Sequence, residues 1–484
     1  MRLPQDILDY MIDQFGRSTA TPRDLIEDYH AIWTPLVQSN NPKNLVSDSL
    51  ATLKSLCLVS HDCRRRAVRI LFHSIDIAGK NHRILHLRAQ RLYDILSTPS
   101  LSGGQSLQPP VAECIRTVTL RRAPMDFFAS DLTEHCPVKY MFKEGSSVTK
   151  IFQELLKPCV TITGLRIDFG MARIAIGWDQ FPAVFRSSVE ALIRSPNLQV
   201  LSLCNVLNLH HGIFDQSSIK ALQLITYKSD TDTVEVSNFD ASEGVVFEPP
   251  NVEYLLVNDR LSVDFLDTPA WQSVLENLKG FNIDSLFDID TYSRVLHLAQ
   301  NSLEILRVDR INCGKVVDHM ESSSFNAFNF GQYSTLQNLS ITRYRYPSLS
   351  FNKQVPDEDI MQLIRILQAT DTCTELCSFA LQILDFYEEE ADEEFLVPDP
   401  PTGQLSVWEE LDIVITSSRF PALQHFNLVV SAEIKRHPSG EFDSEKMIKA
   451  TTECFERSFA KTRALQRVEL EWEIDIYVHQ LHAH

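Results

Sequence analysis

The sequence predicts an α/β solenoid, an irregular repeat arc, preceded by a small all-helical module, and three observations carry that expectation. Beyond residue 110, eleven segments follow one template, apolar-x-x-apolar-x-apolar. Helix-period apolar stripes precede four of them. Up to residue 75, by contrast, apolar residues recur mainly at helical spacing.

The clearest copies of the template are Leu198/Leu201/Leu203, Ile219/Leu222/Leu224, Val252/Leu255/Val257, Leu303/Leu306/Val308 and Leu336/Leu339/Ile341. Leu423/Phe426/Leu428 and Leu465/Val468/Leu470 obey the same rule, and weaker copies begin at Ile115, Ile162, Leu278 and Leu376. Within each copy the second and third apolar residues are two apart, so a short strand turns both to one face. The first lies three residues earlier, where the chain enters the strand and buries an anchor. That is the core of a leucine-rich repeat. The starts are 21 to 47 residues apart, a scatter that predicts irregular repeats with insertions.

The intervening stripes have helical period. Phe185, Val189, Leu192 and Ile193 share one, and Trp271, Val274, Leu275 and Leu278 another. Tyr292, Val295, Leu296 and Ala299 form a third, and Ile360, Leu363, Ile364 and Leu367 a fourth. Helix, turn and short strand in repetition predict a parallel sheet with helices behind it and polar strand positions on the open, concave side. Two stretches interrupt the pattern. Residues 99–110, rich in Pro, Gly and Ser, read as a linker, and 388–394, almost wholly acidic, as an exposed loop. The expected organisation is a helical module at 1–75, a helix and linker at 76–110, and the repeat array at 111–484.

Composition narrows the function classes. Residues 1–124 hold 16 Lys and Arg against 11 Asp and Glu, a charge of +5, which leaves −24 of the total −19 for the remainder. An acidic body argues against nucleic-acid binding, because phosphates need a basic face. No run of roughly 18 to 20 apolar residues is present, and the first residues lead into no hydrophobic signal core. The expectation is a chain of the cytoplasm or nucleus, or both, with no membrane partner. The ten cysteines are scattered; Cys373 and Cys377, four apart, are placed to share a helical face, but no Cys/His spacing completes a zinc site. No Gly-x-Ser-x-Gly, His-Glu-x-x-His or phosphate-loop motif occurs. The sequence therefore predicts no enzyme, no catalytic residues, no cofactor and no metal.

In the N-terminal module, Leu3-Pro4 opens a segment whose Ile7, Leu8, Met11 and Ile12 line one helical face. A second helix fits Leu53–Ser60, and a third Arg64–Phe72 with Ala67, Val68, Leu71 and Phe72 inward. These residues resemble an F-box: the Leu-Pro start, then Leu53-Lys-Ser-Leu-Cys-Leu-Val-Ser60, a basic run and Leu71-Phe72-His-Ser-Ile75. The resemblance covers about residues 3–75 and is closest to the divergent F-box-like modules of mushroom-forming fungi, which often precede irregular leucine-rich regions. The connection from Gly16 to Leu50 is longer than the family's short turn, and Cys63 stands where the family has tryptophan. Within that connection, Asp24–Trp33 could form an extra helix.

The resemblance implies a substrate-recognition subunit of a cullin-RING ubiquitin ligase. Leu3, Pro4, Ile7, Leu8, Leu56, Leu58 and Val59 would dock a Skp-type adaptor and, through it, a cullin. The array would hold a target protein by polar positions of its strands: Gln199, Ser202, Glu253, Glu304, Arg307, Gln337, Ser340, Gln424 and Asn427. The long connection and Cys63 motivate a second reading, a leucine-rich interaction scaffold with a vestigial F-box and no ligase role.

Overall fold

The computed structural model describes residues 23, 45–79, 82–97, 111–122, 142–169, 176–226, 249–257, 269–283, 289–309, 328–345, 356–388, 406–436 and 444–480. The chain divides into two compact units, Met1–Val274 and Leu275–His484. In both, parallel strands alternate with helices, so the expected α/β class holds.

The first unit opens with helices α1 (Leu45–Leu56) and α2 (His61–Leu71), strand β1 (Ser74–Gly79), helix α3 (His82–Ser97) and the single turn α4 (Val111–Cys114). There follow β2 (Thr117–Arg122), α5 (Ser147–Leu155), β3 (Gly164–Asp168), β4 (Ile176–Gly177) and α6 (Ala183–Ile193). Next come β5 (Val200–Cys204), β6 (Val206–Leu207), β7 (Ala221–Ile225), β8 (Tyr254–Val257) and helix α7 (Pro269–Glu276). The strand order is β1-β2-β3-β5-β7-β8, every pair parallel, with β4 and β6 forming a separate two-stranded bridge.

Register explains the template. Ile75, Val118, Leu165, Leu201, Leu222 and Leu255 stand opposite one another across the six strands. Ile77, Leu120, Ile167, Leu203, Leu224 and Val257 form the next row, and all twelve side chains are buried. Beneath them Phe142, Phe152, Phe181 and Phe185 pack ring against ring, with centroids 4.4 to 5.5 Å apart. Such pairs add to the burial of their own large apolar areas.

A backbone device accompanies the rows. Just before most of the strands, one carbonyl accepts two successive N–H groups from the repeat that follows. The Arg116 oxygen takes Thr163 and Gly164 (2.7 and 3.1 Å), Thr163 takes Gln199 and Val200 (2.9 and 3.0 Å), and Gln199 takes Lys220 and Ala221 (2.8 and 2.9 Å). A carbonyl has two lone pairs, so this pattern satisfies the turn without help from side chains. The apolar rows and this ladder together constrain only a short stretch of each repeat. Insertions between them are therefore tolerated, which accounts for the uneven spacing.

The second unit comprises β9 (Gly280–Ile283), α8 (Ile289–Leu298), β10 (Ile305–Val308), β11 (Asn338–Arg345), α9 (Pro356–Ala369) and β12 (Ser378–Glu388). It continues with α10 (Val407–Ile415), β13 (His425–Arg436), α11 (Ser444–Ser458), α12 (Ala460–Ala464) and β14 (Glu469–Gln480). Strands β9 to β14 pair in chain order, all parallel. They lengthen from 4 residues in β9 to 12 in β13 and β14. The carbonyl ladder recurs at Lys279, Glu304, Gln337 and Cys377. Ser406 and Glu409 close a capping box at the start of α10, with Ser406 N–H donating to Glu409 Oε2 at 2.6 Å. All four predicted stripes are buried.

Four expectations are corrected. The sheet begins at Ser74, not at 111, because β1 pairs in parallel with β2. The second helix does not run from Leu53 to Ser60; it ends at Leu56. Cys373 and Cys377 share no helical face, since α9 ends at Ala369 and both cysteines lie in the extended lead-in to β12. In the last repeat, Leu470 and Trp472 stand opposite Phe426 and Leu428, so the strand pair is shifted by two residues from Val468 and Leu470.

Candidate functional site

The first candidate surface is the hairpin of α1 and α2. Leu53, Cys63 and Ala67, all at 0% exposure, form its core, with Leu56, Cys57, Ile70 and Leu71 packed around them. Cys63 thus fills the hairpin interior. Ser60 caps the start of α2 by accepting the Cys63 N–H at 3.1 Å. Between the helices the chain tightens: Leu58 N–H donates to Ser55 O at 2.9 Å and Val59 N–H to Leu56 O at 3.1 Å. The turn leaves Leu58 at 88% and Val59 at 63% exposure, two adjacent aliphatic side chains in water. Of the other expected adaptor contacts, Leu56 is half-buried. Leu3, Pro4, Ile7 and Leu8 lie outside the described residues, as does the Asp24–Trp33 segment.

The second candidate surface is the sheet face opposite the apolar rows. In the first unit it carries Asp76, Thr119, Arg166, Ser202 and Gln223 in one register row. Arg121 lies across Asp76, Nε at 3.1 and 3.0 Å from its two carboxylate oxygens. Arg166 holds Asp168 at 2.6 Å. Ser202 donates to Gln223 Oε1 at 2.5 Å, and both residues are wholly buried. Ser202 is therefore within a strand as expected but is not open to a partner. Gln199 and Glu253 sit outside their strands, in the ladder turns; Gln199 is exposed, and Glu253 is 3.3 Å from Lys220.

In the second unit the corresponding row is Asn282, Arg307, Ser340, Ala380, Asn427 and Glu471. Asn282 is 1% exposed, Arg307 and Ser340 are half-buried, and Asn427 is exposed. Arg307 Nε donates to both oxygens of Asp309, at 3.1 and 2.9 Å. Glu304, Gln337 and Gln424 again occupy ladder turns, where their backbone matters more than their side chains. Five of the nine expected target contacts are thus lead-in residues, and the strand residues that remain accessible are Arg307, Ser340 and Asn427. Sequence reasoning missed the row on β14: Glu469, Glu471, Glu473 and Asp475 alternate with Leu470, Trp472, Ile474 and Ile476. The signal was plain in the strict acidic–apolar alternation.

Burial pushes the Cys373 thiol up to about 12, with the Asp371 charge adding to the effect. Burial also raises Cys114 and Cys57, and it lowers His73, assisted by Arg116. Thiols so shifted are poor nucleophiles at neutral pH. Among the described residues, no three His, Cys, Asp or Glu side chains converge to hold a metal, and no helix is long and apolar enough to cross a membrane. No known protein family and no curated protein matches the chain.

Proposed function

We propose that the chain is a substrate-recognition subunit of a cullin-RING ubiquitin ligase, with a leucine-rich-repeat arc that holds a target protein. The α1–α2 hairpin would dock a Skp-type adaptor, and the array would fix the target near the transfer site. Its contribution to ubiquitin transfer is proximity, with no chemistry of its own. The observation that carries this reading is the Leu58–Val59 turn, where two aliphatic side chains stay exposed although the hairpin behind them is packed. Apolar groups held in water on an ordered turn suit a partner's apolar surface. The F-box resemblance of residues 53–75 names that partner.

The test is capture of a purified Skp-type adaptor by the full chain, compared with a Leu58→Asp/Val59→Asp variant. Both positions are exposed, so the fold should survive, and unchanged circular dichroism checks it. Loss of capture by about tenfold or more is expected, as for truncating anchor residues of an interface. If the wild-type chain captures no adaptor, the receptor reading fails. The buried Cys63 in place of tryptophan favours the second reading in that event: a leucine-rich interaction scaffold with a vestigial F-box.

A further inference from the structure

Strand β14 closes the parallel run of the second unit, and among the described residues its outer edge has no partner strand. Such an edge presents a row of backbone N–H and C=O groups that another extended chain can pair with. Edge strands are commonly short or bent, which limits unwanted pairing. This one runs for 12 residues and matches β13 in length.

Burial changes abruptly here. Phe426, Leu428 and Val430 on β13 are at most 3% exposed, whereas their neighbours Leu470, Trp472 and Ile474 on β14 are only half-buried. Helix α11 covers part of that side, with Phe455 and Trp472 ring centroids 6.4 Å apart. A further strand with apolar residues in register would complete the row.

The other face is charged. Glu469, Glu471 and Glu473 are exposed, and Asp475 continues their line. Inward across the sheet they meet His425, Asn427, Val429 and Ser431. The one basic side chain among these four is His425, with Nδ1 3.3 Å from Glu469 Oε2. Among the described residues Glu471, Glu473 and Asp475 have no ion-pair partner. Like charges directly opposite one another destabilise a strand pair, and opposite charges support it. A second copy of this edge would set acid against acid. A basic strand would not.

We propose that β14 is the docking edge for an extended, basic segment of another protein. That segment adds as one more strand, with Lys or Arg at alternate positions against the acidic row. Apolar residues between them continue the Leu470–Trp472–Ile474 row. The inference goes beyond the receptor reading by naming the chemistry of a partner, and it does not depend on adaptor binding.

The experiment titrates the full chain with a labelled peptide as long as β14, alternating lysine with valine or threonine. The same peptide N-methylated along its backbone keeps the charge and loses the pairing donors. A Glu471→Lys/Glu473→Lys chain, checked by circular dichroism, keeps the edge and reverses the row. Saturable binding of the parent peptide is expected, weakened about tenfold or more by N-methylation and by charge reversal alike. Equal binding of the N-methylated peptide would reduce the effect to attraction by the net charge of −19 and overturn the proposal. So would undiminished binding by the variant, or none by the wild-type chain. Adaptor capture by the variant, measured in parallel, separates failure of this edge from failure of the receptor reading.

Discussion

Asp412 shows how one side chain can hold a repeat together. It lies on α10, is 2% exposed, and accepts the N–H groups of Lys461 and Thr462 at 2.9 and 2.8 Å. It also accepts the Thr462 hydroxyl at 2.5 Å. These are the free donors at the start of α12, where a negative charge is favoured by the helix dipole as well. Truncation would leave buried donors without an acceptor, the costly half of the hydrogen-bond balance. Asp412→Ala should lower stability by about 3 kcal/mol, measured by urea unfolding, and Asp412→Asn by less, because the amide oxygen can still accept. The sequence did not advertise this role. Asp412 looks like any polar helix residue, and its partners are some 50 positions on.

At the scale of elements, pairing decides what spacing cannot. In β14 the template fits Leu465/Val468/Leu470, yet pairing with β13 sets Leu470 and Trp472 opposite Phe426 and Leu428. An alternating strand satisfies a two-residue period at any shift of two, so only its neighbour fixes the register. Trp472→Ala, which removes the ring that packs on Phe455, should therefore destabilise the chain by about 2 kcal/mol in thermal or urea unfolding, and Leu465→Ala, equally half-buried but with a smaller side chain, by less. The helix stripes were easier to read. Phe185, Val189, Leu192 and Ile193 fall on one side of α6 because no other period accommodates them. Strand β1 was hidden for the opposite reason. Phe72, Ile75 and Ile77 obey the repeat template, but they follow directly on residues that also obey a helical one. The candidate sites divide in the same way. The exposed apolar turn at Leu58–Val59 lies between the end of α1 at Leu56 and the Ser60 cap of α2, a local matter that sequence can express. Burial of Ser202 against Gln223 depends on a neighbouring strand 21 residues away and was not legible.

Across the whole molecule, two kinds of surface belong to different parts of one chain. A packed helical hairpin near the N-terminus exposes an aliphatic turn, and parallel repeats further on expose polar strand positions and an acidic edge. Because the repeats are fixed by short apolar rows and a backbone ladder, their insertions are free to vary without loss of the sheet. Hydrogen–deuterium exchange of the full chain with and without a Skp-type adaptor separates the receptor reading from the scaffold reading. Adaptor docking predicts slowed exchange at residues 3–8 and 45–72, around the Leu58–Val59 turn, with β9 to β14 unchanged. Protection that falls on the β-strands and spares the hairpin, or no protection at saturating adaptor, would contradict it.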